Sequence, residues 1–215
     1  MDKLESSSLR DQALRAIRAR IVSGSLRPDQ LYALGAVASQ LGVSVTPVRE
    51  AVLELEREGL VELARNRGFR VREMTERDLD EIIELRIMLE VAAVRKIADG
   101  GLLTDVTRLR GLAEETEQSA RDGDWVGFLD HDRDLHIGIL SHLGNERLIQ
   151  VVRTLRDQSR LYGLEKVAGT DRLLESTREH ELLLEAIELG RPEEAAAIME
   201  RHLRHARGIW AGRPE

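Results

Sequence analysis

The chain has 215 residues, no cysteine, 3% aromatic and 33% charged residues, which leaves neither disulfides nor thiolate metal sites available. No apolar run approaches bilayer thickness, and the opening MDKLESSSLRDQ is too polar for a signal peptide, so a soluble cytoplasmic protein is expected. The net charge of −7 is unevenly spread: residues 1–72 carry 12 Lys+Arg against 9 Asp+Glu, whereas residues 73–215 carry 20 against 30, the pattern of a small polyanion-binding head on an acidic body.

In the head, Leu9, Ala13, Leu14, Ile17 and Ile21 repeat at helical spacing, and Gly24 is a natural stop. A short helix runs roughly from Leu34 to Leu41, and Gly42 makes a turn into GVSVTPVREAVLELEREGLV. There Ser44 or Thr46 can cap a third helix, Pro47 is tolerated in its first turn, and Val48, Ala51, Val52 and Leu55 form its buried stripe. Leu60 to Leu63 and Phe69 to Val71 read as short strands joined by the turn ARNRG. Three helices and a basic-tipped hairpin make a winged helix-turn-helix, in which a helix enters the major groove of DNA and the hairpin tip reaches the minor groove or backbone. The same pattern also serves in protein-interaction modules, whose wing meets another protein instead.

From Thr75 no strand signal follows. TERD is a capping box, and six helices are placed at about 75–98, 103–121, 124–143, 145–163, 171–189 and 192–210. Glycines separate them, and Thr104, Asp124, Asn145 and Thr170 are candidate caps. The fold class is therefore mostly α: a winged helix-turn-helix over residues 1–73, then an all-helical antiparallel bundle over 74–215.

Placing residues at 100° intervals locates the inward charges. In the helix containing DHDRDLHIGIL, Trp125, Phe128, Leu129, Leu135, Ile139 and Leu140 share a face, with Asp132 and His136 in its middle. His180 falls among Leu173, Leu183, Leu184 and Ile187 of a second helix, and His202 among Ala195, Ile198, Met199 and Ala206 of a third. A buried aspartate without a partner would cost several kcal/mol. One carboxylate and three imidazoles can chelate a divalent ion, with Zn, Ni, Mn, Fe and Co all open. The competing reading is a surface ion pair and satisfied core histidines. Arg86 and Glu90 also lie within the apolar stripe of the first bundle helix. Either they form a self-neutralising i,i+4 ion pair, or Arg86 faces a cavity and binds a ligand carboxylate, with Arg156, Ser159 and Tyr162 also in reach.

LGVSVTPVREAVLELEREGLVE and NRGFRV resemble the DNA-binding head of the GntR family of bacterial transcription regulators. LDEIIELRIMLEVAAVRKIA, DRDLHIGILSHLGNERL, REHELLLEAI and AAAIMERHL resemble the FadR-type effector (FCD) domain. The resemblance implies a homodimeric regulator, here read as a repressor, that binds double-stranded operator DNA and answers to a small carboxylate effector held against a metal. It implies Asp132, His136, His180 and His202 as metal ligands, with Arg86, Glu90, Arg156, Ser159 and Tyr162 near the effector. DNA contacts are expected from Ser44, Val45, Thr46, Arg49, Asn66, Arg67 and Gly68. The family commonly has arginine where this chain has Val45, which points to a different operator preference; Arg49 could instead pair with Glu50. The main rival is a metal-dependent enzyme acting on a small organic acid, for which Glu90 is the only inward candidate general base.

Overall fold

The start of the first helix is set by its flanking residues. In the computed structural model, which describes residues 8–160 and 171–211, α1 (Leu9–Val22) begins at Ser8. The Ser8 hydroxyl accepts the Asp11 N–H, and the Asp11 carboxylate accepts the Ser8 N–H in return. Helix α2 (Leu34–Leu41) ends at Gly42 in the left-handed region, and α3 (Val45–Arg57) follows at once. Ser44 occupies the cap position of α3, but its side chain makes no capping bond, contrary to expectation. Pro47 explains this: it stands third in the helix, where a capping serine finds its N–H donor, and it has none. The Ser44 and Thr46 side chains stay exposed.

Strands β1 (Leu31–Tyr32), β2 (Val61–Ala64) and β3 (Gly68–Val71) form an antiparallel sheet in the order β1-β3-β2. Val61 pairs with Val71 and Ala64 with Gly68, so β2 and β3 are the expected hairpin, while Tyr32 pairs with Phe69 on the other side. Strand β1 was not expected, because two residues are too few to show alternation. Ile17, Val48, Ala51, Val52, Leu55 and Phe69 close the core of this unit.

Gly68 combines a φ of 128° with a tight approach: a Cβ there would overlap the Tyr32 carbonyl. We therefore expect Gly68→Ala to cost at least about 1 kcal/mol and to detach the hairpin from β1. Thermal melting of the variant together with a DNA mobility shift would check it; an unchanged melting temperature would contradict the tight approach.

The remaining elements are helical. Thr75 and Asp78 form the expected capping box of α4 (Glu76–Arg86). A π turn (Ile87–Val91) leads into α5 (Ala92–Asp99), so the single helix expected over 75–98 is interrupted. The wide turn keeps Arg86 and Glu90 buried in line with Ile82 and Ile83 before it and Ala93 and Val94 after it. One widened turn shifts the side-chain phase too little to be legible in five residues. Then come α6 (Val106–Asp122), α7 (Trp125–Ser141), α8 (Glu146–Arg160), α9 (Asp171–Glu188) and α10 (Pro192–Ala211). Asp124 and Asn145 cap as expected, whereas Asp105 rather than Thr104 precedes α6; Thr170 lies outside the described residues. Helix α6 packs on α7 and α9, α9 on α10, and α10 on α5. Val94, Ile97, Leu109, Leu135, Leu184 and Leu203 lie at the centre of this packing. The chain thus forms two compact units, Met1–Glu73 and Met74–Glu215. The fold is mostly helical, with the small sheet confined to the first unit.

Candidate functional site

Three helices of the second unit bring polar side chains into an otherwise apolar interior. Asp132 and His136 stand one turn apart on α7, His180 on α9 and His202 on α10, and all four are buried. One oxygen or nitrogen from each lies within 4.8 Å of those of the other three. Asp132 Oδ1 is 3.2 Å from His180 Nε2 and 3.8 Å from His136 Nε2, and the two histidine Nε2 atoms are 3.4 Å apart. The three imidazole centroids lie 4.7–5.2 Å from one another. Burial and the Arg156 charge hold His136 well below the usual histidine range, and burial above all pushes His202 down to about 4. Neutral imidazoles offer lone pairs, so converging Nε2 atoms beside a carboxylate oxygen are a donor set that suits a divalent cation.

Carboxylates stand behind two of the three imidazoles. His136 Nδ1 faces Glu90 Oε2 at 3.4 Å. His202 Nδ1 lies 3.1 Å from Glu179 Oε2, which leaves its Nε2 for the interior. A carboxylate behind a histidine fixes the ring's orientation and tautomer. Glu179 also contacts Arg201 Nε at 2.8 Å and His205 Nδ1 at 3.0 Å. Burial alone would raise its pKa, but the hydrogen bonds from His202 and Arg201 bring it to about 2. Sequence reasoning missed Glu179. Its signal was position: it falls three residues after buried Ser176 and four before buried Leu183, on the core side of α9.

Arg86, Glu90 and Arg156 are buried beside the cluster. Arg86 Nε donates to Glu90 Oε1 at 2.6 Å, Arg156 Nη1 to Glu90 Oε2 at 2.8 Å, and Arg156 Nη2 to Asp132 Oδ2 at 2.6 Å. Arg86 and Glu90 thus form the i,i+4 ion pair, extended by Arg156 into a network. Glu90 sits at its centre, bound by two guanidiniums, rather than poised as a general base. Burial and repulsion from Arg156 lower Arg86 to about 10, against the pull of Glu90, so it stays charged at neutral pH. Ser159 lies 3.4 Å from Arg86 Nη1 and donates to the Arg156 carbonyl. Arg156 Nε is buried without an acceptor among the described residues. Tyr162 lies outside the described residues.

In the first unit, a cleft of about 630 Å³ opens between α3 and the β2–β3 turn. Val45, Arg49 and Leu53 line one side at i, i+4 and i+8, and Leu63, Ala64 and Arg65 to Gly68 line the other. Arg49, Arg65 and Arg67 are exposed there. None of the three, Arg49 toward Glu50 included, forms an ion pair among the described residues. Asn66 adopts a left-handed φ of 57°, which turns the tip. Gly68, expected among the DNA contacts, is buried against the β1 backbone.

Known proteins share both parts of this architecture. Residues 9–71 match the family described as bacterial regulatory proteins, gntR family, and residues 81–205 match the FCD domain. The HTH-type transcriptional regulator McbR of Escherichia coli (strain K12) is 29% identical over 187 residues, covering 86% of this chain and 85% of that protein. The solved structure of E. coli McbR/YncC superposes with a TM-score of 0.76 at 26% identity, covering 96% of this chain and 99% of that one. A probable D-xylose utilization operon transcriptional repressor of Paenarthrobacter nicotinovorans is 32% identical over 168 residues, 78% of this chain and 73% of its own length. These relatives are regulators, not enzymes. With a gntR-type winged head ahead of an FCD helical domain, the chain belongs to the GntR family of DNA-binding transcriptional regulators.

Proposed function

We propose that the chain is a metal-dependent, effector-controlled repressor. In this reading residues 1–73 bind operator DNA as half of a homodimer in the cytoplasm, and residues 74–215 bind a divalent cation and a small carboxylate. The carrying observation is the convergence of Asp132, His136, His180 and His202, all buried, with donor atoms within 4.8 Å of one another. A divalent cation in their midst would anchor and polarise an anionic ligand. Arg86 and Arg156 are balanced in charge by Glu90 and Asp132, so the cation's two positive charges call for an anion. The unsatisfied Arg156 Nε–H supplies a donor for it. Repression is the role that the Paenarthrobacter relative carries in its name. Ser44, Val45, Thr46, Arg49, Asn66 and Arg67 are the proposed DNA-contacting residues, with exposed cations at Arg49, Arg65 and Arg67 in the cleft to meet phosphates.

The direct test is calorimetric titration of the full chain, loaded in turn with Zn, Ni or Mn, with a panel of small carboxylates, followed by operator mobility shifts with and without each acid that binds. Acid binding that needs the ion and weakens operator binding is the expected result. Acid binding that leaves operator affinity unchanged, or no binding to any loaded form, overturns the switch.

Glu179 gives a finer check. Glu179→Gln keeps the side chain's size but removes the charge behind His202, and we expect metal affinity to fall about 10–100-fold. Competition against a chelator of known affinity measures it, and an unchanged constant would leave Glu179 a packing residue only.

A further inference from the structure

We propose that Val45 reads the 5-methyl group of a thymine in the operator. The inference rests on α3 as the helix that enters the major groove and adds the base feature that it recognises there.

Val45 is the first residue of α3, and its relative exposure is 39%. The core stripe of α3, Val48, Ala51, Val52 and Leu55, is fully closed without it. Its stripe runs instead through Arg49 and Leu53 along the open cleft, facing Leu63 and the Arg65–Arg67 turn. The neighbouring Ser44 and Thr46 side chains are exposed as well. An isopropyl group can neither donate nor accept a hydrogen bond. Among the groups that base pairs present in the major groove, the one apolar mark is the thymine C5-methyl. Arg49, one helical turn on, carries a guanidinium that makes no ion pair among the described residues and has the fork that suits guanine O6 and N7. Four residues of helix advance about 6 Å, and stacked base pairs are spaced about 3.4 Å. The thymine read by Val45 should therefore lie within about two base pairs of the guanine met by Arg49.

The test begins by selecting duplexes from a random-sequence pool with the full chain. Each thymine of the selected duplex is then replaced singly by deoxyuridine, which removes the methyl group and leaves Watson–Crick pairing intact. We expect one such replacement near a guanine to weaken binding about fourfold, the worth of one buried methyl group. Val45→Ala, with a shorter apolar side chain, should bind the thymine duplex more weakly and should lower the ratio of thymine to deoxyuridine affinity. Arg49→Ala should weaken both and keep their ratio. If no thymine is methyl-sensitive, or if Val45→Ala preserves the wild-type ratio, the assignment to Val45 is overturned while duplex binding stands. If no duplex is enriched at all, the groove reading beneath it falls instead. Position 45 is exposed, so its truncation leaves the core of the unit untouched; a circular dichroism melt of each variant verifies folding before the affinities are compared.

Discussion

Glu90→Ala is expected to destabilise the second unit by about 3–5 kcal/mol, the usual cost of removing one partner from a buried ion pair. Glu90 is fully buried and accepts hydrogen bonds from both Arg86 and Arg156. Without it, the Arg86 guanidinium loses its carboxylate, and Arg156 retains only the Asp132 side of its fork. Neither charge can reach bulk water from its place. Urea denaturation of metal-free protein, followed by tryptophan fluorescence, reads this directly, since Trp125 and Trp210, the chain's two tryptophans, both belong to residues 74–215. A loss below about 1 kcal/mol, the scale of an exposed pair, would mean that solvent reaches the network. Glu90→Gln, which can still accept hydrogen bonds, should lose less than the alanine variant.

His180→Ala is expected to abolish retention of a divalent ion through dialysis. His180 Nε2 lies 3.2 Å from Asp132 Oδ1 and 3.4 Å from His136 Nε2, so its removal takes a donor that faces both residues of α7. In the wild type, an ion at 100 times its dissociation constant would stabilise the fold by about 2.7 kcal/mol. Addition of Zn, Ni or Mn should therefore raise the melting temperature of the wild type and leave that of His180→Ala unchanged. Elemental analysis after dialysis gives an independent reading. Equal metal content in the two proteins would remove His180 from the proposed ligand set.

Legibility in the sequence differs from place to place. The head was legible nearly whole. Gly42, the stripe Val48–Val52–Leu55 and the glycine-containing hairpin turn are local signals, and each acts within a few residues of itself. Strand β1 was not legible, because its two residues become a strand only through pairing with β3. The cap at Ser44 was misread for a local reason: the serine is in place, but proline removes the donor it would use. In the second unit, the helical period pointed Asp132, His136, His180 and His202 inward, and the helices do bring them together. Glu179 lies beside His180 on the buried side of α9, yet its role depends on His202 of another helix, which its own helix does not reveal.

The sequence by itself determined the helical periods, the turns between them and the faces on which charged residues would be buried, since each of these depends on neighbours three or four residues away. It also carried the family resemblance and left Arg86 open between a self-neutralising pair and a ligand contact. Only the tertiary structure revealed that the Arg86–Glu90 pair shares its carboxylate with a second guanidinium, because that one arrives from α8, sixty-six residues along the chain. The same holds for the carboxylates behind His136 and His202. Which acid meets which imidazole depends on the depth and rotation at which separate helices pack, and no periodicity within one helix encodes that.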